Sequence, residues 1–268
     1  MCYYNGQALQ GQQEIRLKQF EAKLNLSENL GRPLISGFDY GESIVLKRKV
    51  NEEGFEIAMM EWGFIPQYLA TREEVAKMRT GYRDKTGKFK PPMVMLNAVG
   101  EEILMPGKIF RDAALTRRCL IISTGFYEWR HVYPVNKKTG QPLKTAKKYP
   151  YFISLKERPY FFMAGVWQPW TDRDTGEYVE SFAIVTTAAN SLMAQIHNSK
   201  RRMPLLLDEA HAFEWLLGDP DEKRLQEIVR YQYPEALFEY HTIPANFREL
   251  PEPRASFEYA DLPPIALA

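Results

Sequence analysis

Four residues of this 268-residue chain are of types and in settings that could carry covalent or acid–base chemistry: Cys2, Asn97, Glu128 and His197. Cys2 stands directly behind the initiator methionine in MCYYNG, so removal of Met1 would leave a thiol and a free α-amine on one residue. Internal cysteines cannot offer such a 1,2-aminothiol. An α-amine titrates near ~8 and a thiol near ~8.5, so each supplies a useful minority of its nucleophilic form at neutral pH, and an aldehyde would meet both. At an arbitrary position a lone cysteine is more often a small buried hydrophobe. Glu128 sits between Tyr127 and Trp129 in TGFYEW, at the end of a strongly apolar run. It reads either as a carboxylate alternating out to solvent or as one whose pKa the aromatics raise by desolvation, making a proton donor near neutrality. His197 closes an apparent helix in QIHNSKRRMP, where a histidine usually caps a helix or sits in a loop and can otherwise move protons. Asn97 in MLNAVGEE is by itself no more than a strand-end turn residue.

The elements that must position these residues read as an α+β mixture dominated by antiparallel strands. QQEIRLKQFEAKL reads as an early helix, with Leu17, Phe20 and Leu24 at spacings of three and four. SIVLKRKV and FEIAMMEWGF pair around NEEG, REEVAKMR is a short helix, and PMVMLNA is a strand that delivers Asn97. FRDAALTRR is a helix feeding CLIISTGFYEW, one buried strand that delivers Glu128. YPYFISL, YFFMAGVW and SFAIVTT are further strands, the last entered through the turn DRDTGE. AANSLMAQIH is a helix ending on His197, MPLLL is a brief strand, and Asp208 is the N-cap of DEAHAFEWLL. Without repeats or a linker rich in Gly, Ser or Pro, residues 1–268 read as one domain.

The 45% apolar fraction is that of a globular chain with a real core. No stretch is long enough for a membrane span, and the charged GQQEIRLKQFEAKL excludes a signal peptide, so a cytoplasmic, reducing location is expected. Two cysteines, Cys2 and Cys119, make neither a disulfide framework nor a zinc site, and the four histidines lack ligand spacing, so no metal is expected. A formal charge of +1 does not announce a nucleic-acid partner. LKRK, TRRC, NKKTGQPLKTAKK and NSKRR are nonetheless basic clusters; any one of them reads by default as a solvated loop, a default that four together weaken without overturning.

An N-terminal Cys, WG followed by Ile-Pro (Trp62 to Pro66), NA after an apolar strand, GFYEW, and IH running into RMP, in this order, resemble the SOS-response-associated peptidase family. The resemblance runs from Cys2 to about Leu207. It implies an α+β domain with barrel-like, mainly antiparallel sheets and peripheral helices, using no metal and no organic cofactor. It also implies binding to single-stranded DNA and covalent cross-linking to abasic sites; a monomer in the cytoplasm, nucleoid-associated in a bacterium, is expected. By resemblance, the Cys2 amine forms a Schiff base with the open-chain aldehyde and the thiol closes a thiazolidine. The resemblance also makes Glu128 the acid that promotes sugar-ring opening, Asn97 the group that orients the amine, and His197 the residue that handles protons on the sugar and during reversal. An autoprocessing peptidase or lyase-type activity belongs to the same expectation.

Two departures stand out: Val99 follows Asn97-Ala98 where the family commonly has an arginine, and HTIPANFREL differs from the family's usual Val-Ser-rich segment. Arg117, Arg118, Arg201 and Arg202 are candidates for replacement phosphate contacts, and Trp62, Phe64 and Tyr68 for base stacking. Two rival readings keep the opening residue in other roles. One is an N-terminal-nucleophile cysteine amidohydrolase; the other is a single-strand-binding module in which Cys2 is incidental.

Overall fold

The computed structural model describes residues 2–9, 12–25 and 31–266. The chain opens with β1 (Tyr4–Gly6), β2 (Gln12–Leu17), β3 (Phe20–Asn25) and β4 (Ile35–Ser36), followed by β5 (Glu42–Arg48) and β6 (Phe55–Trp62). Helix α1 (Arg72–Thr80) precedes a small hairpin, β7 (Tyr82–Arg83) and β8 (Phe89–Lys90), and then β9 (Asn97–Val99) and α2 (Arg111–Thr116). Five longer strands follow: β10 (Arg118–Ser123), β11 (Gly125–Val132), β12 (Lys147–Leu155), β13 (Phe161–Thr171) and β14 (Tyr178–Ala188). The remainder comprises α3 (Ser191–Ile196), β15 (Arg202–Pro204), β16 (Leu206–Leu207), α4 (Glu209–Leu217), α5 (Glu222–Ile228) and β17 (Phe238–Thr242). No described helix is long and apolar enough to cross a membrane.

Strand pairing closes a five-stranded ring in the order β5, β6, β14, β13, β10 and back to β5, with only the β6–β14 pair parallel. Closure removes the exposed edges that an open sheet would present. β9 lies parallel beside β14 and so brings Asn97 alongside the barrel, opposite Ile184. A second, antiparallel sheet runs β17-β12-β11-β1-β4. Along the barrel strands, successive residues alternate between two apolar clusters, as the period of two requires. Leu120 and Ile122 join the cluster packed by α2, α4 and α5, whereas Cys119 and Ile121 join the one shared with the second sheet and α3. The chain is therefore one α+β domain, as its resemblance implied.

Four expectations for the elements change, the simplest being that MPLLL is two short strands, β15 paired with β14 and β16 with β13. Residues 12–25 form a hairpin rather than a helix, pairing Ile15 with Ala22 and Leu17 with Phe20 around a turn in which Lys18 takes φ 53°. Ile15 and Leu17 are buried while Glu14 and Arg16 are exposed, a period of two that outweighs the coincidental helical spacing of Leu17 and Phe20. PMVMLNA joins the sheet only at its end: Met95 O accepts from Phe64 N–H, Leu96 O accepts from both the Trp62 indole and Ile184 N–H of β14, and Asn97–Val99 then run alongside β14. CLIISTGFYEW is two strands, β10 in the barrel and β11 in the second sheet, and the chain changes sheets at Thr124.

That change of sheets depends on Gly125. Its φ is 155°, and a Cβ there would lie 2.1 Å from Phe152 Cζ and 2.9 Å from Ile153 O. Phe152 is buried, and a backbone carbonyl cannot swing aside. Gly125→Ala is expected to cost about 3 kcal/mol or more by urea denaturation, because overpacking here forces two ladder neighbours apart. A cost below about 1 kcal/mol would show that the junction yields easily.

Candidate active site

The segment carrying Cys2 is fixed by buried polar side chains downstream of it. Gln7 donates its amide to the carbonyls of Ile44 and Ile122, each at 2.8 Å, and accepts from Ile44 N–H at 2.9 Å, stapling the chain after β1 to β5 and β10. The Ser123 hydroxyl donates to Asn5 Oδ1 at 2.6 Å, and β1 pairs with β11 through Asn5 and Phe126. Upstream, Asn97 Nδ2 donates to the Cys2 carbonyl at 2.8 Å across the gap between barrel and second sheet. Cys2 is fully buried (0%), and burial, with the nearby Glu128 adding to it, pushes its thiol well above the ordinary range. The thiol is therefore neutral at physiological pH. Met1, whose removal the aminothiol requires, lies outside the described residues.

Glu128 lies in β11 opposite Tyr151 and is 3% exposed; burial pushes its carboxyl up to about 8. His197 is the C-cap of α3, a helix started by the Asn190 side chain, which accepts from Met193 N–H. Its Nδ1 is 2.7 Å from the Arg202 carbonyl, and since a carbonyl can only accept, Nδ1 carries the proton. Nε2 then presents its lone pair toward Glu128 Oε2 at 3.7 Å. Burial lowers the imidazole to about 4. Between these two values the pair holds one ionisable proton, on the carboxyl, because the interior penalises the separated charges.

Beyond His197 the loop is clamped to the edge of β11. Asn198 accepts from His131 N–H at 2.9 Å and donates to His131 O at 2.7 Å, so one carboxamide occupies the edge that β1 leaves unpaired. Between that edge and the loop opens a cavity of about 440 Å³ lined by Glu128, His197, Tyr3 and Trp129, with His131, Lys148, Ser199, Lys200 and Arg248 around them. Among the described residues that line it, Glu128 alone carries a carboxyl, which burial keeps protonated up to about pH 8. Among the described residues no group of three or more His, Cys, Asp or Glu side chains is arranged to hold a metal ion.

Asn97, Glu128 and His197 thus converge on the Cys2 segment, whereas most of the residues suggested for DNA contact lie elsewhere. Trp62 and Phe64 are each 1% exposed, and the Trp62 indole donates to Leu96 O, so neither has a face for a base. Tyr68 is 63% exposed but lines a separate cavity with Leu69 and Met93. Arg118 spends its guanidinium on the carbonyls of Ala114, Leu115, Trp215 and Gly218, tying the ends of α2 and α4 together. Arg117 bonds Gln168 and Thr116, and Arg202 is paired with Glu101 at 2.7 Å while donating to Thr186 O. Only Arg201 stays exposed next to a cavity-lining residue, Lys200. Lys148 and Lys200 belong to two of the basic runs in the sequence. Arg248 lies in the divergent HTIPANFREL segment, where its guanidinium reaches the Tyr4 hydroxyl at 3.2 Å. Val99 takes its place in the ladder opposite Thr186.

The model of the family described as SOS response associated peptidase (SRAP) matches residues 7–249, a span that holds Asn97, Glu128 and His197 but not Cys2. The Bacillus subtilis abasic site processing protein YoqW is 31% identical over 168 residues, covering 62% of this chain and 60% of that protein. The Escherichia coli abasic site processing protein YedK is 28% identical over 155 residues, covering 58% and 61%. The abasic site processing protein HMCES of Xenopus tropicalis is 23% identical over 205 residues, covering 70% and 52%. The chain thus spans less than two thirds of the length of each of these curated relatives. In fold, a crystal structure of a protein from Bacteroides thetaiotaomicron superposes with a TM-score of 0.73 at 24% identity, over 96% of this chain and 100% of that one.

The proton held by the Glu128–His197 pair has a measurable effect on stability. Glu128 keeps its proton in the fold up to about 8, against 4.5 when unfolded, so stability declines as pH rises toward 8. His197, lowered from 6.5 to about 4, acts in the opposite sense below 6.5, and the two effects nearly cancel there. From pH 6.5 to 8 the carboxyl acts alone, and the chain should lose about 2 kcal/mol. Glu128→Gln removes that slope. Urea denaturation across this range checks it: parallel curves for the two proteins would mean that Glu128 ionises as an ordinary carboxyl.

Proposed function

The chain belongs to the SOS response associated peptidase family, and we propose that it processes abasic sites in single-stranded DNA by linking itself covalently to them through Cys2. The observation that carries this reading is the 2.8 Å bond from Asn97 to the Cys2 carbonyl, beside a buried acid that keeps its proton at neutral pH. The relatives' names, abasic site processing protein, supply the substrate class.

With Met1 removed, the Cys2 amine attacks the aldehyde carbon of the ring-opened sugar. Glu128 donates a proton to the ring oxygen during opening, and His197 Nε2, with its lone pair turned toward the carboxyl, relays protons to and from it. Loss of water from the carbinolamine leaves an imine. The thiol then adds to the same carbon, its sulfur forming the C–S bond and its proton passing to the imine nitrogen, which closes the thiazolidine. Burial of Cys2 suits this step, since a neutral thiol brings its own proton. Asn97 holds the carbonyl of the reacting residue and so limits the directions its amine and thiol can take. Lys148, Lys200 and Arg248 on the cavity rim have no carboxylate partner among the described residues and are suited to the phosphates flanking the lesion.

Two experiments test this. Incubation with a single-stranded abasic oligonucleotide should give a denaturant-resistant species whose mass is protein without Met1 plus DNA minus one water. Glu128→Gln should slow its formation on the order of a hundredfold with binding retained, and Cys2→Ser should leave only a borohydride-trappable imine. Amide turnover without any adduct would favour the cysteine amidohydrolase instead. Separately, changing Lys148, Lys200 and Arg248 to Gln should flatten the dependence of log affinity on log salt by roughly 0.7 for every phosphate that is no longer neutralised. An unchanged slope in the triple variant removes the rim from the DNA path.

A further inference from the structure

The family match ends at residue 249, yet the chain beyond it continues across the fold toward the proposed acid pair. From β17 it passes Thr242, whose carbonyl accepts from Phe257 N–H at 2.8 Å, and then β12, where Lys147 pairs with Asp261 at 2.6 Å. At β11 the Arg130 guanidinium donates to the carbonyls of Pro263 and Pro264, at 2.6 and 3.3 Å. At α3, Gln195 and Ala266 exchange two hydrogen bonds, side-chain amide to backbone, at 2.6 and 2.9 Å. Tyr259, Leu262 and Ile265 pack against the apolar cluster that contains Cys2 and Ile196.

Arg130 lies two residues beyond Glu128 in β11, and Gln195 two residues before His197 in α3. We propose that residues 259–266 are a strap that sets the Glu128–His197 separation, with Arg130 and Gln195 as its positioning residues. α3 has only six residues and cannot hold its place by helix formation alone. Its Asn190 cap fixes one end and the Asn198 clamp lies beyond the other. Asn190 Nδ2 and Leu192 N–H also bond Tyr233 O and Glu235 Oε2, each at 3.3 Å, and the strap adds a further attachment that bonds to the same strand that carries Glu128. At 3.7 Å the carboxyl and imidazole are at the limit where a small displacement of α3 admits water between them. Among the described residues the charged and titratable groups facing Glu128 are Cys2 and Tyr3 before β1, His131 and Lys148 on the sheet, His197 and Lys200 at and after α3, and Arg248 at the rim, and the N-terminal amine acts on it as well, lowering its pKa. The strap contributes none of them, so its effect is through position.

This inference rests on Glu128 being the proton donor proposed above, and its test reads the proton without DNA, so its failure and that of the cross-linking reading are separate results. In the full chain, Gln195→Leu, Arg130→Leu and the two together are compared by carboxyl NMR titration of Glu128. The midpoint is expected to fall by about one pH unit in the double variant, a tenfold loss of proton affinity, by less in each single variant, and to stay near native in Arg130→Lys. Losing a cation near Glu128 would by itself raise the midpoint, so a fall reports opening of the pair. A lowered melting temperature with an unmoved midpoint would overturn the proposal. Should the double variant not fold, the Gln195→Leu titration decides in the same way.

Discussion

A carboxyl that is 3% exposed is costly to ionise, and burial pushes Glu128 up to about 8, so it keeps its proton at neutral pH. The imidazole beside it does not carry a compensating charge, because His197 is itself buried and its Nδ1 proton is committed to the Arg202 carbonyl. Protonating the imidazole would place a cation in the same dry volume. Keeping the proton on the carboxyl leaves both groups uncharged and avoids that cost. The surrounding architecture can be understood as what keeps water away from this one proton while leaving it reachable from a cavity.

The barrel and the second sheet divide that task. Through β9 the barrel supplies Asn97, which spans to the Cys2 carbonyl; the second sheet supplies Glu128, and α3 supplies His197. The two sheets are continuous in sequence at Thr124, so the strand that leaves the barrel becomes within a few residues the strand that carries the acid. β1 covers the edge of β11 only at Gly125 and Phe126. Past that point the edge would be open to water or to another strand, and Asn198 occupies its N–H and C=O at His131. The cavity is thus the consequence of a short strand ending where the carboxyl begins.

Much of this is legible in the sequence, and the reasons are local. The strands β5, β6, β12, β13 and β14 announce themselves by apolar runs bounded by turns, and the Asp208 cap and the turn after Thr171 follow from side-chain chemistry alone. The hairpin at residues 12–25 escapes a pattern reading because Leu17 and Phe20 fit a helix as well as a strand, and only the burial of Ile15 decides. The switch at Gly125 is hidden inside a continuous apolar run, since a change of sheet leaves the hydrophobic pattern intact. Asn5 and Gln7, which anchor the Cys2 segment, carry no motif; their partners are Ser123, Ile44 and Ile122, at sequence separations that no spacing rule reaches. The arginines mislead for a related reason. A guanidinium has five donors, so Arg118 can satisfy four carbonyls at once and become part of the framework, and sequence alone does not distinguish that from a phosphate contact.

Desolvation of Glu128 also decides what the cavity attracts. Glu128 is the only carboxylate among the cavity's lining residues, and up to about pH 8 it bears no charge. An anion entering at neutral pH therefore meets Lys148, Lys200 and Arg248 without an opposing negative charge, although the chain as a whole is at +1. A solvated glutamate at the same place would ionise, offset one of those cations and lose the proton that acid chemistry needs. Raising the carboxyl's pKa by burial accomplishes both ends, and it explains why an acidic residue can stand at the floor of an anion-attracting cavity. The same burial keeps His197 uncharged at neutral pH. The electrostatic field of the site and its acid–base capacity are two consequences of a single exclusion of water.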